Sequence, residues 1–180
     1  ISPRAEALLY AADRAHHVFS VIRPGLDRGD VVITDRYFDS SAAYQGAGRV
    51  LNPSEVARIS RWATESLYPT LTILIDVPAV IGLARLKSLD RLEAEPREFH
   101  ERVRQEFLQI ALMDPERYLV VDGTQSIEEI HTEIIARVAE LPALKRNAEG
   151  VKTKKMLRPI RIATTAVSRA THSVGSKKKK

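Results

Sequence analysis

Three short apolar runs constrain this chain most: Val31-Val32-Ile33-Thr34, Leu71 to Ile75 and Tyr118 to Val121. Each is apolar throughout rather than alternating, which predicts strands covered on both faces. Segments with helical spacing separate them. The alternation predicts an α/β fold, a three-layer parallel sheet with helices on both faces. An acid closes each run: Asp35, Asp76 and Asp122. Ligands in such sheets sit at the carboxyl ends of the strands. Acids also serve there as turn and cap residues, an equally good account of Asp76 and Asp122. Asp35 has more chemistry around it.

The helices carry their own punctuation. Ser2 is placed to N-cap a helix with Pro3 at its first position. Ala7, Leu8, Ala11, Ala15, Val18 and Ile22 then recur at helical spacing, and the pattern stops near Pro24-Gly25. Asn52-Pro53-Ser54-Glu55 opens a second helix, expected to run to about Leu67. Pro78 to about Lys87 reads as a short helix and Pro96 to about Met113 as a longer one, with Phe99, Val103, Phe107, Ile110 and Ala111 along one side. Ile127 to Leu141 is the last. No internal repeat is visible.

The net charge of +5 conceals two parts. Residues 1–144 hold 16 Lys/Arg and 22 Asp/Glu, whereas residues 145–180 hold 12 Lys/Arg and one acid, Glu149. The expected organisation is therefore a domain over 1–144, incomplete at its N-terminus, and a basic, disordered tail over 145–180. A weak β-like run, Pro159 to Ala163, lies inside the tail. There is no cysteine, which excludes disulfides and thiolate metal sites and suits a cytoplasmic setting. The most apolar run, Leu71 to Leu86, is broken by Asp76, Pro78 and Arg85, so no membrane partner is expected. No signal pattern opens the chain, and it begins with Ile1, most simply because upstream residues are missing from the sequence.

Three segments carry candidate chemistry. Tyr10 and Arg14 lie four apart on a predicted helix and share a face. A ring beside a guanidinium can hold a planar base, although a half-buried tyrosine near a surface arginine is the plainer account of the pair alone. Asp35-Arg36-Tyr37-Phe38-Asp39-Ser40-Ser41-Ala42-Ala43-Tyr44-Gln45-Gly46-Ala47-Gly48-Arg49 begins where a buried strand stops. There a carboxylate can hold Mg²⁺ or its waters, and a guanidinium can bridge phosphate oxygens as charge moves. Arg85-Leu86-Lys87-Ser88-Leu89-Asp90-Arg91-Leu92-Glu93 is a basic connection that could close over a polyanion or simply be solvated.

Together, in order and wording, these segments resemble bacterial thymidylate kinases, over roughly Ser2 to Leu141. Asp-Arg-Tyr followed by Ala-Tyr-Gln-Gly-Ala-Gly-Arg is the most specific part, supported by Tyr-Ala-Ala-Asp-Arg and Asp-Arg-Leu-Glu. The resemblance implies a P-loop nucleotide-kinase fold and transfer of phosphate from ATP to dTMP, with Mg²⁺. It places Tyr10 on the thymine face and Arg14 at its carbonyl oxygen. It implies Asp35 as the Mg²⁺-holding or water-holding acid and Arg36 as the phosphate clamp, the two catalytic candidates. Ser41 and Gln45 fall near the thymine edge, and Tyr44 against the sugar. Arg85, Lys87 and Arg91 fall in the lid over the ATP phosphates, and Thr124 and Gln125 in the loop near adenine. It also implies a homodimer.

The chain departs from the family pattern in three places. No Gly-x-x-x-x-Gly-Lys-Ser/Thr occurs in its 180 residues, and the family places that P-loop, with the first strand, before the position of Ile1. A polypeptide of these residues alone is expected to be an inactive or weakened fragment. Ordinary turnover by that polypeptide in a coupled ADP-release assay would overturn this. Second, only Leu86 to Leu89 separate Arg85 from Asp90, where the family has a longer lid. Third, the basic tail has no family counterpart. Two further readings follow: a kinase for another pyrimidine monophosphate, and a degraded, non-catalytic kinase scaffold that binds nucleic acid through residues 145–180.

Overall fold

The computed structural model describes residues 1–48, 51–86, 92–142 and 162–163. Helix α1 spans Pro3–His17, with the Ser2 side chain accepting from the Ala5 N–H at 3.3 Å. Arg14, His16 and His17 occupy its last turn. The helical path does not stop at Pro24-Gly25. It runs on through a π-helical turn, Val18–Ile22, into α2, Arg23–Asp27. Pro24 falls at the junction of the two, where the Arg23 N–H reaches back five residues to the Val18 carbonyl, and the widened turn accommodates a residue that has no N–H to continue the ladder.

Strand β1 is only Ile33–Thr34. The predicted buried strand at 31–34 is thus shorter than expected and not buried, with Val31 and Ile33 both about half exposed. Its neighbour is β4, Ile162–Ala163, which pairs with it in parallel. Those two residues belong to the β-like run in the tail, for which disorder is the sequence expectation; the rest of the tail lies outside the described residues. Strands β2, Thr72–Asp76, and β3, Tyr118–Asp122, form a second parallel pair with Asp76 opposite Asp122. The described strands therefore make two separate two-stranded sheets rather than one continuous one.

Helix α3, Phe38–Ser41, opens directly after the Asp35-Arg36 turn and continues as a π-helical stretch, Ala42–Gly48. Its inner face meets α6, Arg97–Met113: Ala43, Phe99 and Val103 are all but sealed from solvent, with Tyr44, Leu92 and Phe107 packed around them. Close approach to α4, Pro53–Ala63, needs Gly46, because a Cβ there would sit 3.1 Å from the Pro53 Cα. Helix α4 ends short of the expected Leu67. Thr64 folds its hydroxyl back onto the Ser60 carbonyl at 3.0 Å, and Glu65 and Ser66 take positive φ, which no α-helix continues. Helix α5 spans Ala79–Ala84. Helix α7, Ile127–Ala139, starts with a reciprocal capping box between Ser126 and Glu129.

The turn after β3 is fixed by sterics. Gly123 donates its N–H to the Asp76 carbonyl at 2.8 Å, and a Cβ at this position would lie 2.3 Å from Val77 Cγ2 and 2.7 Å from Ile75 Cγ2. Overlap of that size against packed side chains forces the two strand ends apart. Gly123→Ala is expected to destabilise the fold by about 1–3 kcal/mol, read as a lowered urea midpoint. Among the described residues, no helix is long and apolar enough to cross a membrane.

Candidate active site

The predicted base-binding residues come together from two helical stretches. On α1, Tyr10 and Arg14 share a face, as their spacing requires. Opposite them, Ser41 ends α3 and Gln45 lies in the π-helical stretch, where a locally widened helix is often found at functional positions. Arg14 Nη1 donates to Ser41 Oγ at 2.7 Å. Burial pulls the Arg14 guanidinium below its ordinary value, and the Tyr37, Asp13 and Asp39 side chains partly offset this. Arg14 is thus a poorly hydrated cation beside a half-buried aromatic ring, Tyr10. That combination favours a polarised carbonyl on a flat, uncharged ring.

One residue of the site is not among those the sequence motifs single out. Gln45 Nε2 donates to Glu6 Oε1 at 3.3 Å, and both residues are almost wholly buried. Glu6 lies four residues before Tyr10, on the same face of α1. The spacing 6, 10, 14 is the one signal that points to it. That signal is weak, because an acid in a first turn is ordinarily a dipole partner at the surface.

Asp35 and Arg36 sit at the turn between β1 and α3, both exposed. Arg36 holds φ at 63°, a left-handed conformation that costs a non-glycine residue about 1–3 kcal/mol. Thr34 Oγ1 donates to the Arg36 carbonyl at 2.9 Å and stabilises the turn. The turn swings the Arg36 guanidinium over the Tyr44 ring, 4.7 Å from its centroid. Tyr44 is itself set edge-on against Phe107 and tilted against Phe99. The arginine is therefore held over an aromatic platform, with its donors available to an anion.

The other strand-end acids are structural. Arg104 takes Asp76 in a two-point clasp, at 2.6 and 2.8 Å. Asp122 accepts from both the N–H and the hydroxyl of Thr124, at 2.8 and 2.7 Å, and these bonds hold its carboxyl below the usual carboxylate value. Thr124 is thereby tied into the turn after β3, while Gln125 N–H donates to the Asp122 carbonyl at 3.3 Å. Arg85 Nη1 reaches the Gly123 carbonyl at 3.1 Å, so the start of the predicted lid touches the predicted adenine loop. Lys87 and Arg91 lie outside the described residues. Among the described residues, no cluster of three or more His, Cys, Asp or Glu could hold a metal by itself. A single exposed carboxylate such as Asp35 suits Mg²⁺, which is ordinarily held by one or two carboxylates together with substrate phosphates.

Behind the site, Asp39 faces Arg117 from the first turn of α3. Arg117 donates to Asp39 at 2.7 and 3.4 Å, to Asp114 at 2.7 Å and to Thr72 at 3.2 Å. Its guanidinium also lies 4.7 Å from the Tyr118 ring centroid. Burial pulls that guanidinium down, but the bonds to Asp39 and Asp114 outweigh it and push it up. This pair joins the segment carrying Ser41 to the β2–β3 sheet.

Parallel strands, a strand end opening into an Asp-Arg turn, and a helix face carrying a half-buried tyrosine and arginine are the parts of an α/β nucleotide kinase. The comparisons with known proteins are specific. The profile of the thymidylate kinase family matches residues 1–134. A thymidylate kinase of Leifsonia xyli subsp. xyli is 58% identical over 142 residues, covering 77% of this chain and 67% of that protein. The thymidylate kinase of Clavibacter michiganensis subsp. michiganensis is 55% identical over 152 residues, covering 82% and 72% respectively. That of Lactobacillus acidophilus is 41% identical over 145 residues, covering 78% and 67%. The chain belongs to the thymidylate kinase family, a family of phosphotransferases.

Proposed function

We propose that this chain forms the dTMP side of a kinase that transfers the terminal phosphate of ATP to dTMP. The observation that carries the reading is the Arg14–Ser41 bond at 2.7 Å, which joins α1 and α3 beside Tyr10. In this reading the thymine ring stacks on Tyr10, and Arg14 donates to its carbonyl oxygen. Ser41 and Gln45 meet the base edge, and Tyr44 supports the sugar. Arg36 bridges the phosphate oxygens. Asp35 would hold Mg²⁺, directly or through water; the metal's chemistry is to neutralise charge on the bridging phosphates. Arg85, Lys87, Arg91, Thr124 and Gln125 form the ATP side. Phosphoryl transfer asks the protein mainly to align and neutralise two anions away from water, and these residue types suit that work. The test is dTMP affinity by calorimetry in Arg36→Met and in Tyr10→Ala. Both should bind more weakly than the unaltered protein, and unchanged affinity in both would overturn the reading.

A homodimer through α1 belongs to the same proposal, supported by Leu8 and Phe19, which are 55% and 76% exposed on one continuous helical path. Sedimentation equilibrium checks it. Attachment to nucleic acid through residues 145–180 is the second reading, favoured by the 12 Lys/Arg against one acid in that segment. Filter binding with and without those residues, across salt, decides it.

A further inference from the structure

The Glu6–Gln45 contact bears on which base the site selects. Glu6 is 4% exposed and Gln45 3%, so both polar groups are removed from solvent and each depends on its partners. A carboxylate accepts and does not donate, so the end of the Gln45 amide facing Glu6 is its NH₂. The other end, the carbonyl Oε1, is then the group left to meet a ligand. Glu6, Tyr10 and Arg14 are spaced by four on α1, and Ser41 and Gln45 by four on the facing stretch. Two polar rungs, Glu6–Gln45 and Arg14–Ser41, therefore lie about one turn of α1 before and after Tyr10.

We propose that Glu6 is a positioning residue that locks the Gln45 amide with its carbonyl toward the base, and so makes the site prefer a pyrimidine with a ring N–H over cytosine. This rests on the reading of Gln45 as a base-edge residue. Thymine presents a carbonyl oxygen beside a ring N–H. Arg14 donates to the first, and Gln45 Oε1 accepts from the second. Cytosine reverses both: an amino group meets the arginine donors, and a lone pair meets Oε1. A free amide would rotate by half a turn and offer cytosine its NH₂. Here rotation would turn Oε1 onto the Glu6 carboxylate, oxygen against oxygen, in a site with little water to screen it. Discrimination thus comes from a residue that never touches the base.

The test compares dTMP with dCMP by isothermal titration. The unaltered protein should bind dTMP and reject dCMP by about 100-fold or more, since a mismatched site leaves buried polar groups unpaired. Glu6→Gln keeps the shape but can face either end of the amide, and should narrow the dTMP/dCMP ratio about tenfold. The exchanged pair, Glu6→Gln with Gln45→Glu, restores a fixed acceptor at position 45 and should recover the preference. A purely structural role predicts something else: Glu6→Gln weakens both nucleotides equally, or leaves the ratio unchanged, and the exchange recovers nothing. Either result overturns the proposal. If Gln45→Ala binds dTMP as tightly as the unaltered protein, the base-edge reading of Gln45 itself fails, independently of Glu6.

Discussion

Arg117→Met is expected to lower stability by about 3–5 kcal/mol, because it strands a buried carboxylate. The side chains of Arg117 and Asp39 are only 11% and 10% exposed, so little solvent is at hand to replace the lost partner. Arg117 also holds Asp114 and Thr72, and it spreads over Tyr118, Phe38 and Tyr68. Removing it therefore costs packing as well as charge pairing. The consequence extends beyond stability. Asp39 lies in the short helix that ends at Ser41, so loosening it frees the wall of the base site opposite α1. Asp39→Asn in the Arg117→Met background should recover part of the loss, since a neutral amide is cheaper to bury unpaired than a carboxylate. Urea denaturation of the two single variants and the double variant measures both effects. A loss below about 1 kcal/mol for Arg117→Met would show that the pair is incidental, as exposed pairs commonly are.

The second large effect is on binding. Arg14→Met is expected to weaken dTMP binding by about 100-fold, because a charge-assisted hydrogen bond to an uncharged ligand is worth about 1.5–3 kcal/mol, and to lower the urea midpoint as well, because the buried Ser41 hydroxyl loses its partner at a cost of about 1–3 kcal/mol. Methionine keeps the length and apolar stem of the side chain, so helix packing survives. What is lost is the donor fork, together with the bond that anchors Ser41. Arg14→Lys tests the geometry separately. It retains the charge but cannot reach a carbonyl and the serine hydroxyl with a planar fork, and it should recover only a small part of the affinity. Calorimetry with dTMP on the three proteins reads this directly. Equal affinity in all three would place the base elsewhere.

Much of the proposed base site is legible in the amino-acid sequence because its signals are local. Tyr10 and Arg14 are four apart on a segment with clean helical spacing, and so are Ser41 and Gln45 once that stretch is helical. The Asp35-Arg36 turn sits where a β-branched run ends. What is not legible depends on distant partners. Arg117 and Asp39 are separated by 78 positions, and nothing near either residue in sequence reports the other. Asp76 and Asp122 are ambiguous between function and structure from their positions alone; Arg104 and Thr124 decide them. The run at 31–34 reads as a buried strand from its residues. Its exposure is decided instead by its neighbours, and among the described residues its strand partner is the two-residue Ile162–Ala163. The early end of α4 turns on a hydroxyl folding back at Thr64 and on two positive φ values, neither of which composition announces.

The family assignment rests on similarity, whereas the base site rests on geometry that one comparison tests most directly: titration of the protein with dTMP and with AMP under identical conditions. A flat ring on Tyr10, a carbonyl oxygen at Arg14 and an N–H at Gln45 describe thymine and not adenine, whose corresponding edge carries an amino group. The account predicts saturable one-to-one binding of dTMP and affinity for AMP weaker by about 100-fold or more. Equal affinity for the two nucleotides, or no binding of dTMP, would contradict it.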